Sequence, residues 1–349
     1  MYKTIYCMVD DDKTQYLKRY GELVGLNIIP NPVKGVLFPF YLMYLIFSNN
    51  KPDAVIVRYM NDNRNILLSL ALFLSRYLTF IILSFFSVKI VWFCHNIDKE
   101  TKEFYPFLTK IKRNYLLKKS EKIYVMDELL VPVAVKQFPQ YANKIDYICF
   151  GVRQSNYRRN KKSNNGKLIS VFEGLRDKGE VYIGFCPTNS GNKYLHIDYA
   201  PDLVNKAKEA GIELYLVMVG DLKTHINTNI DLATKISKNK NIILIDEFVD
   251  YNADEIGKYI DFYWRGLDDQ SISYSLYEAA TQRVPILAID VGFVGEAVAH
   301  YNLGEVVDID MADLRSKLLL LESWNSAYAD EFLEKHSWTK AVDKLKGIF

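Results

Sequence analysis

Along nearly all of the 349-residue chain, short apolar runs alternate with helix-periodic segments, and the alternation occurs in two series. Few folds accommodate that rhythm. Strands joined by helices pair in parallel and need helices on both faces of the sheet, so the pattern predicts an α/β architecture. The first series reads as strands over Tyr2–Val9 (ending at Asp10, Asp11 and Asp12), Ala54–Arg58, Lys89–Cys94 (ending at His95), Lys122–Met126 (ending at Asp127) and Lys144–Phe150. The second reads as strands over Val181–Phe185, Glu213–Val219, Asn241–Ile245, Ile260–Tyr263 and Val284–Ile289, with helices over Ala200–Ala210 and Ser275–Gln282. Between them, Arg158 to Lys167 is polar and linker-like, which places a domain boundary near 155–170.

Charge changes sign at the same boundary. The net charge of +2 conceals 25 Lys+Arg against 13 Asp+Glu in residues 1–165, and 19 against 29 in residues 166–349. Such a split predicts two domains, 1–160 and 161–330, with different partners. The basic clusters, Lys110–Lys119 with Lys122 and Arg153–Lys167, suit solvated helix faces or attraction to an anionic membrane or a phosphate-bearing acceptor. No nucleic-acid-binding motif accompanies them, so nucleic acid is not an expected partner. Cys7, Cys94, Cys149 and Cys186 stand singly, as in a reducing compartment. The opening Met1–Asp12 is too acidic for a signal peptide, so the expected location is cytoplasmic.

Ile66 to Val88 is 23 residues with one charge, Arg76, and is long enough to span a bilayer. It also lies between two strands of one predicted sheet, which a span would put on opposite sides of the membrane. The expectation is a helix in two parts with one face in the core. With the apolar run Val36–Phe47 in the same basic half, it points to peripheral contact with the inner face of the cell membrane, an apolar and an electrostatic signal acting together.

No Walker loop and no GxGxxG follow the first strand, and HExxH, GxSxG and cysteine–histidine clusters are absent. The five histidines are scattered, and no metal or other cofactor is expected. The informative stretch is Tyr263–Ile289, a strand, a polar loop, a helix opening near Ser273, a tight turn and a buried strand. Amides at that helix start can hold a diphosphate, and Glu278 can accept from ribose hydroxyls.

Here the sequence resembles the nucleotide-sugar glycosyltransferases of the GT-B fold, in the glycogen-synthase-like superfamily. Glu278-Ala-Ala-Thr-Gln-Arg-Val-Pro285 matches that family's second acid, alanine and proline, whereas its first acid falls on Gln270, with Asp268 and Asp269 just before. Asn143–Val152, Ile183–Lys193, Val291–Ala297 with Leu303–Val307, and Ser337–Ala341 resemble further segments in the family's order. The resemblance implies two doubly wound Rossmann-like domains facing a central cleft, an acceptor domain first and a donor domain second, with a terminal helix over 331–349 crossing back to the first. It implies that Glu278 holds the ribose, that Ser271, Ser273, Asn189 and nearby amides face the diphosphate, and that Arg265 or Lys193 neutralises the leaving diphosphate. Gln270 would bond sugar hydroxyls and His95 would contact the donor sugar; a strand-end histidine bonded to backbone is the plainer alternative. For a general base the candidates are Asp98, Glu100, Asp127 and Asp10–Asp12, with Asp98 first for its nearness to His95 in sequence.

The implied activity is transfer of a sugar from a UDP- or GDP-linked donor to a glycan acceptor, lipid-linked on a polyprenyl diphosphate or a free oligosaccharide, in cell-surface polysaccharide synthesis. A sugar-nucleotide 2-epimerase of the same fold, or a non-catalytic nucleotide-sugar or glycan-binding protein, would share these features.

Overall fold

The computed structural model of the protein describes residues 3–98, 100, 103–152, 165–188, 195–247, 249 and 253–349. The chain divides into two units, one made of Met1–Gly151 with Lys335–Phe349, the other of Val152–Glu334.

In the first unit, strands β1 (Lys3–Cys7), β2 (Leu26–Pro30), β3 (Ala54–Val57), β4 (Lys89–Cys94), β5 (Lys122–Val125) and β6 (Ile145–Tyr147) form one sheet in the order β2-β1-β3-β4-β5-β6. All its pairings are parallel. Buried runs such as Ala-Val-Ile-Val in β3 have no polar alternation because helices cover both faces. β2, Leu-Asn-Ile-Ile-Pro, escapes the sequence reading. It is five residues long and starts three residues after the helix Asp12–Leu23. That helix is N-capped by Asp11, whose carboxylate accepts from Thr14 N at 2.9 Å.

Ile66–Phe85 is a single uninterrupted 20-residue helix, not the two parts expected. It connects parallel neighbours β3 and β4 and is therefore a crossover lying on the sheet. Its polarity is inverted. Ser69, Ser75 and Thr79 face inward with Phe80, Ile82 and Leu83, their hydroxyls donating to the carbonyls of Asn63, Val36 and Ser75. Leu67, Leu70, Leu74, Leu78, Ile81 and Phe85, at helical spacing, are exposed.

The final helix, Trp338–Lys346, belongs to the first unit. Trp338 stacks on Tyr16 at 5.0 Å between ring centroids, and Tyr124 Oη donates to Lys344 O at 3.1 Å. Gly151 is needed beside it, because a Cβ there would lie 2.4 Å from the Trp338 ring.

In the second unit, β7 (Tyr182–Thr188), β8 (Leu214–Gly220), β9 (Ile242–Ile245), β10 (Phe262–Arg265), β11 (Ile286–Ile289) and β12 (Gly304–Val307) form a parallel sheet ordered β12-β11-β10-β7-β8-β9. Counted within the unit this is 6-5-4-1-2-3, the Rossmann order. One side of the sheet packs Leu216, Met218, Phe262, Trp264 and Leu287 against the helix Ala200–Glu209 and the helix Leu314–Glu322.

Candidate functional site

Strand order dictates where a ligand fits. The chain winds outward from β7 through β8 to β9, then returns to the other side of β7 as β10. β8 and β11 lie on opposite sides of the β7–β10 pair, so the strand order reverses there, and the carboxyl ends of those two strands are where open α/β sheets bind ligands. Thr188 ends β7 and Arg265 ends β10.

His196 ties these two strand ends together. Its Nδ1 lies 2.8 Å from Gly266 O and its Nε2 2.8 Å from Thr188 Oγ1, while its own carbonyl accepts from Trp264 Nε1 at 2.6 Å. A carbonyl only accepts, so Nδ1 carries the proton and Nε2 accepts from Thr188. Burial, with the Arg265 cation nearby, pushes the imidazole down to about 3. His196 is thus a neutral strut between the two strand ends.

Arg265 is 5% exposed, and among the described residues its Nε has no hydrogen-bond partner. Among the described residues of the unit the arginine ion pairs are Arg176–Asp261 and Arg283–Asp330, and Arg265 takes part in neither. A buried cation without a carboxylate is costly unless an anion reaches it. Next to it the chain forms the loop 266–273 and then the helix Tyr274–Gln282. Ser273, the N-cap, is extended and makes no side-chain cap, its hydroxyl lying 2.6 Å from that of Ser275, so the first-turn amides are left without a side-chain cap. A second helix, Gly292–His300, starts on the same loop, with Phe293 N donating to Asp269 O at 3.1 Å. Gly292 permits this approach. It has φ +64°, and a Cβ would lie 2.2 Å from Leu267 O. Burial, with the charge of Glu278, half-buried on the first helix, pushes the Tyr263 phenol well above its ordinary value, and the Gln282 hydrogen bond and Arg265 oppose it. Carboxylate and cation therefore act in opposite senses on one phenol.

The first unit has its own order reversal, between β1 and β3. There Arg58, 1% exposed, donates from Nη1 to Asp11 Oδ1 at 2.6 Å and to Thr14 Oγ1 at 3.2 Å, and from Nε to His95 Nε2 at 3.3 Å. An arginine only donates, so Nε2 of His95 is the unprotonated nitrogen. The imidazole stacks between Tyr59 (4.3 Å between centroids) and Phe150 (5.7 Å). Burial opposes ionisation of Asp11, but the Arg58 charge and hydrogen bonds outweigh it and hold the carboxyl below its ordinary value.

No family model matches the chain, and no curated protein matches it by sequence. Solved structures do match it over its whole length. A glycosyltransferase from Rickettsia africae is similar at TM-score 0.66 and 16% identity, covering 99% of this chain and 97% of that one. HepE from Anabaena, in complex with UDP and glucose, is similar at TM-score 0.62 and 12% identity over 99% of both chains. A protein from Listeria monocytogenes described as a UDP-N-acetylglucosamine 2-epimerase is similar at TM-score 0.54 and 12% identity, covering 99% of this chain and 95% of that one. The fold is GT-B.

Within this GT-B chain the structure gathers Arg265, Gln270, Ser271, Ser273 and Glu278 on β10, the following loop and one helix. Gln270 Oε1 is buried with no hydrogen-bond partner among the described residues. Ser271 is already engaged, donating to Asp269 Oδ1 at 3.0 Å, and Asp268 is exposed. Asn189 and Lys193 lie outside the described residues. His95 stands at the end of β4 and Asp98 is exposed in the turn beyond. The other candidate bases are committed elsewhere. Glu100 accepts from Arg113 and from Met60 N, Asp127 is fully buried against His336, and Asp11 caps a helix and pairs with Arg58. Asp10 accepts from Gln15, and Asp12 opens the first helix. Sequence reasoning missed Arg58 and His196. The one signal for Arg58 is a lone cation closing an otherwise apolar strand, and His196 has none, because its partners sit 8 and 70 residues away.

His196 makes stability pH-dependent. The unfolded imidazole takes a proton near pH 6.5 and the folded one only near 3. Protonation therefore favours unfolding, and stability falls as pH drops below 6.5, by about 1.4 kcal/mol per unit down to about pH 3. Chemical denaturation at pH 7 and pH 5 should differ by about 2 kcal/mol through this group, and His196→Gln should flatten that slope.

Proposed function

We propose that this protein is a nucleotide-sugar glycosyltransferase whose second unit holds a UDP- or GDP-linked donor and whose first unit receives a glycan acceptor. The observation that carries the reading is Arg265, a buried cation without an ion-pair partner among the described residues, at the strand reversal of a Rossmann-ordered sheet beside a helix start lacking a side-chain cap. A diphosphate supplies the missing anion and takes the helix amides. Held there, Arg265 stabilises the charge that builds on the leaving diphosphate as the glycosidic bond breaks, the task a divalent cation performs elsewhere. Glu278 accepts from the ribose hydroxyls, and the buried Gln270 carbonyl offers an acceptor to the sugar. Solved neighbours in complex with UDP and with UDP-glucose support the choice of ligand. In the first unit, Asp98, three residues beyond His95 at the end of β4, is an exposed carboxylate available to take the acceptor's proton.

The acceptor proposed is a glycan on a polyprenyl diphosphate, in cell-surface polysaccharide synthesis at the inner face of the membrane. The inside-out helix Ile66–Phe85 supports this, as do Phe40, Tyr44 and Phe47, exposed on the helix Phe38–Phe47. The helix Pro106–Lys119 packs beside it through Phe80 and Tyr115 and exposes Lys110, Lys118 and Lys119. A cationic rim around an apolar stripe is what an anionic bilayer attracts.

A thermal-shift screen against nucleoside diphosphates and sugar nucleotides tests the donor assignment. At saturating ligand the expected rise is at least about 3 °C for one nucleotide class; no shift with any of them overturns the reading. A second reading, epimerisation, is favoured by the Listeria neighbour. Sugar released from the nucleotide only when acceptor is present supports transfer, and an epimeric sugar nucleotide formed without acceptor supports the alternative.

A further inference from the structure

Sequence spacing shows no cysteine–histidine cluster, but the fold of the first unit creates one. Asp127 follows β5, Cys149 follows β6, and His336 precedes the helix Trp338–Lys346. They are 0%, 7% and 1% exposed, and their ligand-capable atoms all lie within 4.8 Å of one another. We propose that Asp127, Cys149 and His336 supply three of the four ligands of a tetrahedral zinc site that clasps the returning C-terminal segment to the first unit's sheet. The proposal is independent of the sugar-transfer reading.

The donor set selects the metal. One thiolate, one imidazole nitrogen and one carboxylate oxygen suit zinc or its surrogate cobalt, whereas calcium and magnesium take oxygen ligands throughout. The geometry is close. His336 Nε2 and Asp127 Oδ2 are 2.9 Å apart. Zn–N and Zn–O bonds of ~2.0–2.1 Å at a tetrahedral angle put those atoms ~3.3 Å apart, and a Zn–S bond of ~2.3 Å puts sulfur ~3.5 Å from each. The hydrogen-bonded pair therefore has to open by about 0.4 Å, and any contact at the 4.8 Å limit has to close by about 1.3 Å. Asp127 Oδ1 already accepts from Leu129 N at 3.0 Å, which orients the carboxylate with Oδ2 toward the histidine. The site also lies where a clasp is useful. Cys149 is two residues before Gly151, where the first passage of the chain through this unit ends, and His336 is the second residue of the segment that returns, Lys335–Phe349. Zinc bound there would release the thiol proton and tie both passages to the end of β5.

The test uses the full chain, purified and then stripped with chelator. Elemental analysis should find about one zinc per chain before stripping, and chelation should lower Tm by about 5–10 °C, reversed by added zinc. Cobalt loaded into the stripped protein should show near-ultraviolet thiolate-to-cobalt charge-transfer absorption, and Cys149→Ser, nearly isosteric, should lose that band while keeping the native circular dichroism. A protein that carries no zinc and takes up neither zinc nor cobalt overturns the proposal, as does a thiolate band that survives in Cys149→Ser.

Discussion

Arg265→Met is expected to weaken nucleoside-diphosphate binding by about 10²–10³-fold, because a desolvated charge-assisted contact to phosphate is lost. The unliganded protein should be at least as stable as the wild type. Arg265 is 5% exposed and its Nε has no partner among the described residues, so methionine of similar length removes a buried charge without breaking an ion pair. Loss of ligand affinity together with an unchanged or raised Tm is a combination that a structural arginine does not give. Removing a structural arginine lowers Tm, as expected for Arg113, which is tied to Glu100 and to the carbonyls of Asn96 and Ile97. Calorimetric titration of each protein with UDP and GDP, alongside thermal melts, reads both quantities. Equal affinity in mutant and wild type would remove Arg265 from the site.

The second large effect concerns the membrane face. Leu74 and Leu78, 63% and 40% exposed, lie one turn apart on the exposed stripe of the helix Ile66–Phe85. Leu74→Glu with Leu78→Glu removes two apolar contacts and adds two charges of the sign that an anionic surface repels. At roughly 1.5 kcal/mol for each lost side chain and ~1 kcal/mol for each added charge, partition onto anionic vesicles should fall by at least about 100-fold. Folding should be retained, because the inward face of that helix is built from Ser69, Ser75, Thr79, Phe80, Ile82 and Leu83. Co-sedimentation with anionic and neutral vesicles at low salt measures it. Wild-type protein that stays in the supernatant in both cases would contradict the membrane assignment.

The same helix marks a limit of sequence reading. Its length and hydropathy resemble a membrane span, and the central charge of Arg76 and its place between two neighbouring strands argue otherwise. Which face turns inward could not be inferred from apolar periodicity, because the hydroxyls of Ser69, Ser75 and Thr79 find carbonyl partners and the leucines do not need the core. The alternating strands were legible because each buried run is bounded by polar turns. β2 was not, its run being broken by Asn27 and closed by a proline. In the second unit, Glu278 and Arg265 are local to one segment and follow from it. The His196 strut joins residues from β7 and β10 that no spacing connects. The cluster of Asp127, Cys149 and His336 is farther still from sequence, since its members span 209 positions.

The central claim is that the strand reversal in the second unit holds a diphosphate against Arg265. A crystal structure of the protein with UDP or GDP tests it most directly. The account predicts a phosphate oxygen within hydrogen-bond distance of the Arg265 guanidinium and ribose hydroxyls on Glu278. A nucleotide seated elsewhere, with Arg265 still lacking an anion, would contradict it.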